Sequence, residues 1–459
     1  MAEGKELKYR PIPERFISRI KSQYPQYDCD TWLRSMDNIA ESSVRLNVRK
    51  NMALFEKSDP VLWSAYGRHL IDRPLYAADP LYHGGAYYPQ ESSSMILEWV
   101  LAQLPLEPSR IDALDVAAAP GGKSLILADF LRDRGRLISN EIDARRCAIL
   151  EENISRWGCN NVLITRGSSA QLQHLPLQFQ IVLLDAPCSG EGMFRKDFHA
   201  RAQWSEELVA SCARLQYKIL DDTSHLVAPN GFLIYSTCTF SEEENLQQLD
   251  RLCGSGEFES MTLEPPEDWG IVRRTGACSS VLQFLPGKVR GEGLTLGVLK
   301  KIGNNNKKHF KSQNHYREIL PSERKKLPMV NAEMVYQEKG QLFSFSKFNV
   351  EELNQIQSLV PIRKPGILAG HFVGDGFIPD HDLSMAPEFH TSFPSIQVDE
   401  ITARRFLGGE TWPLEIAPGW YRIEYKNVSL GWIKSVGHRI NNHLPKSLRL
   451  RSRELKDLR

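Results

Sequence analysis

Two cysteines, Cys188 and Cys238, each stand just past an apolar run, in LLDAPCSGEGMFRK (183–196) and IYSTCTFSEEEN (234–245). A thiolate can add to an electron-poor ring, and two thiols in polar loops at one sheet edge are placed for that chemistry. Asp185 precedes Cys188, so a carboxyl group enters the same pocket. A third loop, DVAAAPGGKS (115–124), also closes an apolar run. Pro120 fixes its turn, while Gly121 and Gly122 let the backbone approach a ligand and aim amide groups at its polar atoms. About twenty residues on, the next run ends in Asn140 and Glu141, where a carboxylate can accept hydrogen bonds from both hydroxyls of a ribose. These loops suit an adenosine-bearing cofactor. GxGxxG and GxxxxGK[ST] are both missing, which disfavours a nicotinamide cofactor or a nucleoside triphosphate. Each feature alone has a plainer reading, since a glycine pair is commonly a tight turn, a strand-end Glu is commonly solvated and a buried cysteine commonly packs in a core. Their combination reverses that preference.

The elements that must position these loops are legible as alternation. From about residue 111, the runs IDALDVAAA, GRLISNEI, NNVLITRG, FQIVLLDAP and GFLIYSTC alternate with stretches at helical spacing such as SLILADFLRDR and ARRCAILEENISRWG. That pattern predicts a parallel sheet covered on both faces, with strands buried on both sides. Residues 1 to 100 read as a mainly helical leading module in which SVRLNVRK (43–50) alternates like a short strand. Low hydrophobicity and high charge in IGNNNKKHFKSQNHYRE predict a linker at 303–315 after a catalytic unit at 101–302. Beyond it, LFSFSKF, GILAGHFVG, GWYRIEYKN and VSLGWIKSV, spaced by Gly, Pro and Asn, predict an accessory α/β region at 316–390 and a β-rich module at 391–459.

With 459 residues, 41% of them hydrophobic and 25% charged, the chain can bury about two or three separate cores. Its eight cysteines include no CxxC pair, so neither a disulfide scaffold nor a zinc site is expected. No stretch approaches the roughly 18 apolar residues of a membrane span, so a cytoplasmic protein without a membrane partner is expected. The net charge of +1 says little, because nucleic acid is gripped by local clusters. From Ser429 onward there are eight Lys/Arg against two Asp/Glu, and Lys300, Lys301, Lys307, Lys308 and Lys311 flank GNNN. Both clusters could meet phosphates, or be a solvated tail and a linker.

Residues 43 to about 300 resemble the Sun family of RNA cytosine-5 methyltransferases. The resemblance rests on SVRLNVRK, GGAYYPQESSS (84–94), DVAAAPGGKS, SNEIDARR, NISRWGCNNV, DAPCSGEGMFRK, YSTCTFSEEEN and PGKVRGEGLTLGVLK (286–300). It implies a Rossmann-like core that uses S-adenosyl-L-methionine. It assigns Cys238 as the nucleophile that adds to carbon 6 of cytosine, Cys188 as the helper in product release, and Asp185 as the group that orients or protonates the base. The cofactor contacts it implies are Ala117, Pro120, Gly121, Gly122, Lys123, Glu141, Arg146 and Asp185. Relatives usually carry an Asp where this chain has Ser168. A hydroxyl there can still accept from an adenine amino group, but without charge assistance.

The C-terminal strings RKPGILAGHF, LGGETWPL and VSLGWIKSVGHRINNHLPKSLRLR resemble the tail of RsmF-like ribosomal RNA methyltransferases, which ends in a PUA-like RNA-binding module. The expected fold is therefore α/β: a Rossmann-like core, a mainly helical leading module and a mixed α/β, partly β-barrel C-terminal region. The expected substrate is ribosomal RNA of the small subunit, free or within a subunit, met by a monomer that needs no metal. Expected RNA contacts are Arg45 and Arg49 in the leading module, with Asn47 between them, and Lys434, Arg439, Lys446, Arg449 and Arg451 in the tail. Trp432 would pack inside or stack on a base. The competing readings are the same chemistry on transfer RNA and an RNA-binding assembly factor that has lost catalysis.

Overall fold

The computed structural model describes residues 9–50, 53–107, 110–303, 313–328, 335–344 and 348–450. In the leading module, helices Glu14–Gln23 and Cys29–Ser35 precede a four-stranded antiparallel sheet of β1 (Ser43–Leu46), β2 (Asp59–Pro60), β3 (Gly67–His69) and β4 (Tyr87–Pro89). The SVRL strand is where alternation put it. Three short partners accompany it, too brief to show a period of their own.

The central sheet begins with β5 (Ile111–Asp115), β6 (Gly135–Asn140), β7 (Val162–Thr165), β8 (Phe179–Asp185) and β9 (Val227–Thr237), all parallel. Successive residues point to opposite faces, so Ala113, Leu137, Ile181 and Leu183 enter one core while Leu114, Ile138, Val182 and Leu184 enter the other. That is why these runs are apolar without interruption. The sheet continues through β10 (Phe258–Ser260), β11 (Val272–Thr275), β12 (Ser280–Phe284) and the antiparallel β13 (Leu294–Lys301), which pairs with β9. Strand order runs outward from β5 in both directions, to β6 and β7 on one side and to β8 and β9 on the other. The crevice at the carboxyl ends of β5 and β8 is the place such sheets bind ligands.

Local chemistry sets the flanking helices. Asp143 caps Ala144–Trp157 by accepting from the N–H groups of Arg145 and Arg146, and Gly158, at φ +83°, ends it in the left-handed region. Leu150, Ile154 and Trp157 are its buried stripe.

In the accessory region β14 (Arg317–Glu318), β15 (Val335–Glu338), β16 (Gln341–Ser344), β18 (Ile367–Val373) and β19 (Gly376–Pro379) form their own antiparallel sheet. β17 (Ile362–Lys364) instead joins the central sheet beside β7. The last module is a four-stranded sheet of β20 (Ser395–Gln397), β21 (Gly419–Tyr425), β22 (Val428–Ser435) and β23 (Ile440–Asn442). Trp432 is buried in it, its indole N–H donating to the Asp380 carbonyl at 2.6 Å, so it packs and does not stack. Lys307, Lys308 and Lys311 of the expected linker, and Arg451, lie outside the described residues.

Two expected RNA contacts are corrected. Arg45 is 1% exposed, its guanidinium paired with Glu98 and with Asp129 at 3.4 Å and set over the Tyr66 ring. Arg49 pairs with Glu388 at 2.8 Å and Asp129 at 3.5 Å and donates to the Ala128 carbonyl. Asn47 donates to the carbonyls of Gly85 and Trp157. This polar strand face is turned inward because the catalytic core brings carboxylates and carbonyls to meet it. Its residues fasten the leading module to the core and, through Glu388, to the accessory region.

Candidate active site

A cleft of about 340 Å³ opens at the crevice between β5 and β8, walled by Gln90, Asp115, Ala117, Lys123, Asp185 and Cys238 among others. Its floor is the turn after β5. The Ala118 N–H donates to Asn140 O at 2.8 Å, the Ala119 N–H to Glu141 Oε2 at 3.3 Å, and Asn153 Nδ2 to Pro120 O at 2.8 Å. Arg146 donates to Ala119 O at 2.6 Å, so its role in this structure is to brace the turn. The Ala119–Pro120 peptide is cis and Gly121 has φ +118°, a conformation that favours glycine. Asp115 is 1% exposed. Ser124 Oγ donates to its Oδ2 at 2.6 Å, while its Oδ1 has no partner. Burial pushes this carboxyl up to about 7, with Ser124 offsetting part of the rise.

Lys123, in the first turn of helix Gly122–Leu131, reaches across to Asp185 at the end of β8, with Nζ 2.9 Å from Oδ2. The other Asp185 oxygen accepts from Ser236 Oγ at 2.7 Å. Burial alone would depress the Lys123 ammonium, but attraction to Asp185, with smaller help from Cys238 and Asp115, leaves it raised overall. Lys123 therefore stays charged beside the thiol.

Cys188 Sγ and Cys238 Sγ lie 3.1 Å apart. The hydrogen bond to Cys238, then burial, holds the Cys188 thiol well above the usual thiol range, which favours Cys188 as the partner that keeps its proton. The two loops are stapled together. The Gly192 N–H donates to Cys238 O at 2.8 Å, and buried Glu191 accepts from the Phe240 N–H at 2.8 Å and from Trp204 Nε1 at 2.9 Å. Cys188, Cys238 and Asp185 thus meet at one sheet edge.

Glu141, Arg146 and Ser168 stand outside the cleft wall. Glu141 is 2% exposed and already accepts from Ala119 and Asp143. Ser168 caps helix Ser169–Leu172 in a capping box with Gln171. In the last module Lys434, Arg439 and Lys446 are exposed, and Lys434 lies over the Trp420 ring at 5.4 Å. Arg449 is half-buried and donates to Leu444 O.

One residue escaped the sequence reading. Gln90 is 7% exposed, and neither its Oε1 nor its Nε2 has a partner. It ends the AYYPQ string, whose polar last residue is the only sign it gave.

Residues 103–300 match the family described as 16S rRNA methyltransferase RsmB/F. Residues 393–450 match the methyltransferase RsmF PUA domain, and residues 12–92 the N-terminal domain of 16S rRNA methyltransferase RsmF. The chain is 30% identical to ribosomal RNA small subunit methyltransferase F of Aeromonas hydrophila over 95% of its length and 97% of that protein. It is 27% identical to the protein of the same name from Serratia proteamaculans, over 95% and 96%. Among solved structures, a methyltransferase homolog from Pyrococcus horikoshii superposes with TM-score 0.54 at 26% identity, covering 64% of this chain and 96% of that one. NSun6 from Pyrococcus horikoshii, solved with SFG, shares the fold with TM-score 0.54 at 18% identity, covering 64% and 99%.

Proposed function

The chain belongs to the ribosomal RNA small subunit methyltransferase F family, and from that membership we propose that it methylates carbon 5 of a cytosine in small-subunit ribosomal RNA, through a covalent bond from Cys238 to carbon 6. The observation that carries this reading is the 3.1 Å Cys188–Cys238 pair, whose Cys238 lines the same cleft as the Lys123–Asp185 ion pair.

Carbon 5 of cytosine is too weak a nucleophile to accept a methyl group unaided. Addition of the Cys238 thiolate to carbon 6 pushes electrons into the ring and makes carbon 5 enamine-like. Asp185, fixed by Ser236 and Lys123, would orient the base, and a proton passed to it from the paired Lys123 ammonium would supply the hydrogen bond at ring nitrogen 3, where charge develops. S-adenosylmethionine, the cofactor of this enzyme class, supplies an electrophilic sulfonium methyl. The residues that would hold it are Ala117 and the turn Pro120–Lys123, with Glu141 at the ribose and Ser168 at the adenine edge. The orphaned Asp115 Oδ1 and the glycine turn fit a polar ligand in that crevice. After transfer a base takes the carbon-5 proton, the ring double bond re-forms and the bond from carbon 6 to Cys238 breaks. Cys188, held as a thiol, hands its proton to the departing sulfur.

A base inside a duplex cannot reach Cys238, so the target is unpaired or flipped out, at a cost on the order of a few kcal/mol. Lys434, Arg439, Lys446 and Arg449 supply phosphate contacts in the last module. No helix among the described residues is long and apolar enough to cross a membrane. The relatives named above are bacterial, and in a bacterium ribosomal RNA is made in the cytoplasm, where this enzyme would work. The protein is incubated with labelled S-adenosylmethionine and purified small-subunit RNA, free and assembled, then the label is mapped by bisulfite sequencing. The expected result is 5-methylcytosine at one position. Label on another atom, or only on transfer RNA, would overturn the reading.

A further inference from the structure

Cys188 is the middle residue of a short loop whose two flanks are tied to the same pair of buried side chains. Gln216, on helix Glu206–Thr223, donates through Nε2 to the Pro187 carbonyl at 2.9 Å and to Glu244 Oε2 at 2.9 Å. Glu244 Oε2 also accepts from the Ser189 N–H at 3.0 Å, and Oε1 accepts from Ser189 Oγ at 2.5 Å. The path from Pro187 O through Gln216 and Glu244 to Ser189 N closes a ring around the backbone of Cys188. Gln216 and Glu244 are both 0% exposed.

Cys238 is held differently. Its carbonyl is fixed by Gly192, and its neighbour Thr239 touches the ring only through its hydroxyl, at 2.9 Å from Ser189 Oγ and 3.4 Å from Glu244. The ring therefore encloses the backbone of Cys188 and not that of Cys238. Among the described residues no lysine or arginine pairs with Glu244, and burial pushes its carboxyl up to about 7, with the bonds from Ser189 and Gln216 offsetting part of the rise. Its work is hydrogen-bond geometry, which does not depend on a full charge.

We propose that Glu244 and Gln216 are positioning residues for Cys188, holding its sulfur where release of the Cys238 adduct requires it. The proposal rests on the cysteine roles given above. Displacement of a reacting group by about 1 Å can cost on the order of a hundredfold in rate. Loosening the ring should therefore slow release while leaving attack by Cys238 in place.

The full-length protein is compared with Glu244→Ala, Gln216→Leu, Glu244→Gln, Cys188→Ala and Cys238→Ala. Single-turnover methyl transfer, steady-state turnover and denaturant-resistant protein–RNA complex are each measured, with thermal unfolding as the check on folding. Glu244→Ala and Gln216→Leu are expected to slow turnover about 10- to 100-fold and to accumulate complex, with single-turnover methylation little changed. Glu244→Gln keeps an oxygen that can accept from Ser189 and Gln216, and should behave like wild type. If Glu244→Ala does not fold, Gln216→Leu decides, because it preserves volume while deleting the donor. A folded Gln216→Leu protein without accumulated complex would overturn the proposal, as would equal loss of single-turnover and steady-state rates. Failure of Cys188→Ala itself to accumulate complex would instead sink the underlying cysteine assignment, and the proposal with it.

Discussion

Cys188 and Cys238 meet sulfur to sulfur at 3.1 Å although they leave the sheet from two different strands, β8 and β9. Their surroundings make them unequal: Cys188 is held as a thiol, and the charged Lys123 stands near Cys238. Cys238→Ala should abolish methyl transfer and trap no RNA. Cys188→Ala should allow attack but stall release, leaving a complex that survives denaturing electrophoresis. The opposite pattern would exchange the two roles.

Gln90 gives a test in which stability and activity move apart. Its buried amide has no partner among the protein groups around it, and such a group costs about 1–3 kcal/mol. Gln90→Leu should therefore raise the urea midpoint while lowering kcat/KM about tenfold or more, because a ligand in the cleft loses a donor and an acceptor. Unchanged kinetics would mean that the amide meets neither base nor cofactor.

Arg45 should matter for folding and not for RNA. Arg45→Met leaves the partly buried Glu98 without its cation and Asp129 with Arg49 alone, a change that costs up to about 3–5 kcal/mol. Chemical denaturation measures the loss. Filter binding of the folded fraction to RNA should match wild type, and a selective loss of RNA affinity would restore Arg45 to the interface.

Ser168→Asp should tighten cofactor binding by about 1 kcal/mol, because a carboxylate accepts an amino-group hydrogen bond with charge assistance. Aspartate is as good a helix cap as serine, so helix Ser169–Leu172 should persist. Titration calorimetry with S-adenosylmethionine reads the change, and no gain would dissociate this position from the adenine.

Asp115 and Glu244 should make the fold weaker at higher pH. Burial lifts both carboxyls to about 7 from ordinary values of 3.8 and 4.5. Between those limits the folded chain binds more protons than the unfolded one, so unfolding free energy falls as pH rises. Their contribution is complete below the unfolded values and is lost as pH passes about 7. Combining Asp115→Asn with Glu244→Gln should flatten the slope of urea stability between about pH 5 and about pH 8. A slope unchanged in the double variant would place the titration elsewhere.

The catalytic half was legible because its chemistry lies in contiguous strings. A strand buried on both faces reads as an unbroken apolar run, and the loop that follows it carries the thiol, the carboxyl or the glycine turn. Arg45 and Arg49 misled for the opposite reason. Strand alternation says that alternate side chains share a face, but only the tertiary partner decides whether that face meets water or Asp129. Gln216 could not be found from spacing, since its partners Pro187 and Glu244 lie on other elements. Ser168 was read as a ligand contact, and its capping role needs only the Gln three residues on, a local signal that went unused.

β17 bears on how the protein comes to be made. The open edge of β7 is covered by a strand from beyond the catalytic segment, and the Arg166 N–H donates to Pro361 O at 2.9 Å. During synthesis that edge must wait, with its backbone groups exposed, until the ribosome has passed Lys364. A nascent catalytic domain is therefore an unfinished sheet, prone to pair with other strands. Expression cut near residue 303 should give sticky material for the same reason, whereas a cut after the accessory region should leave the sheet closed.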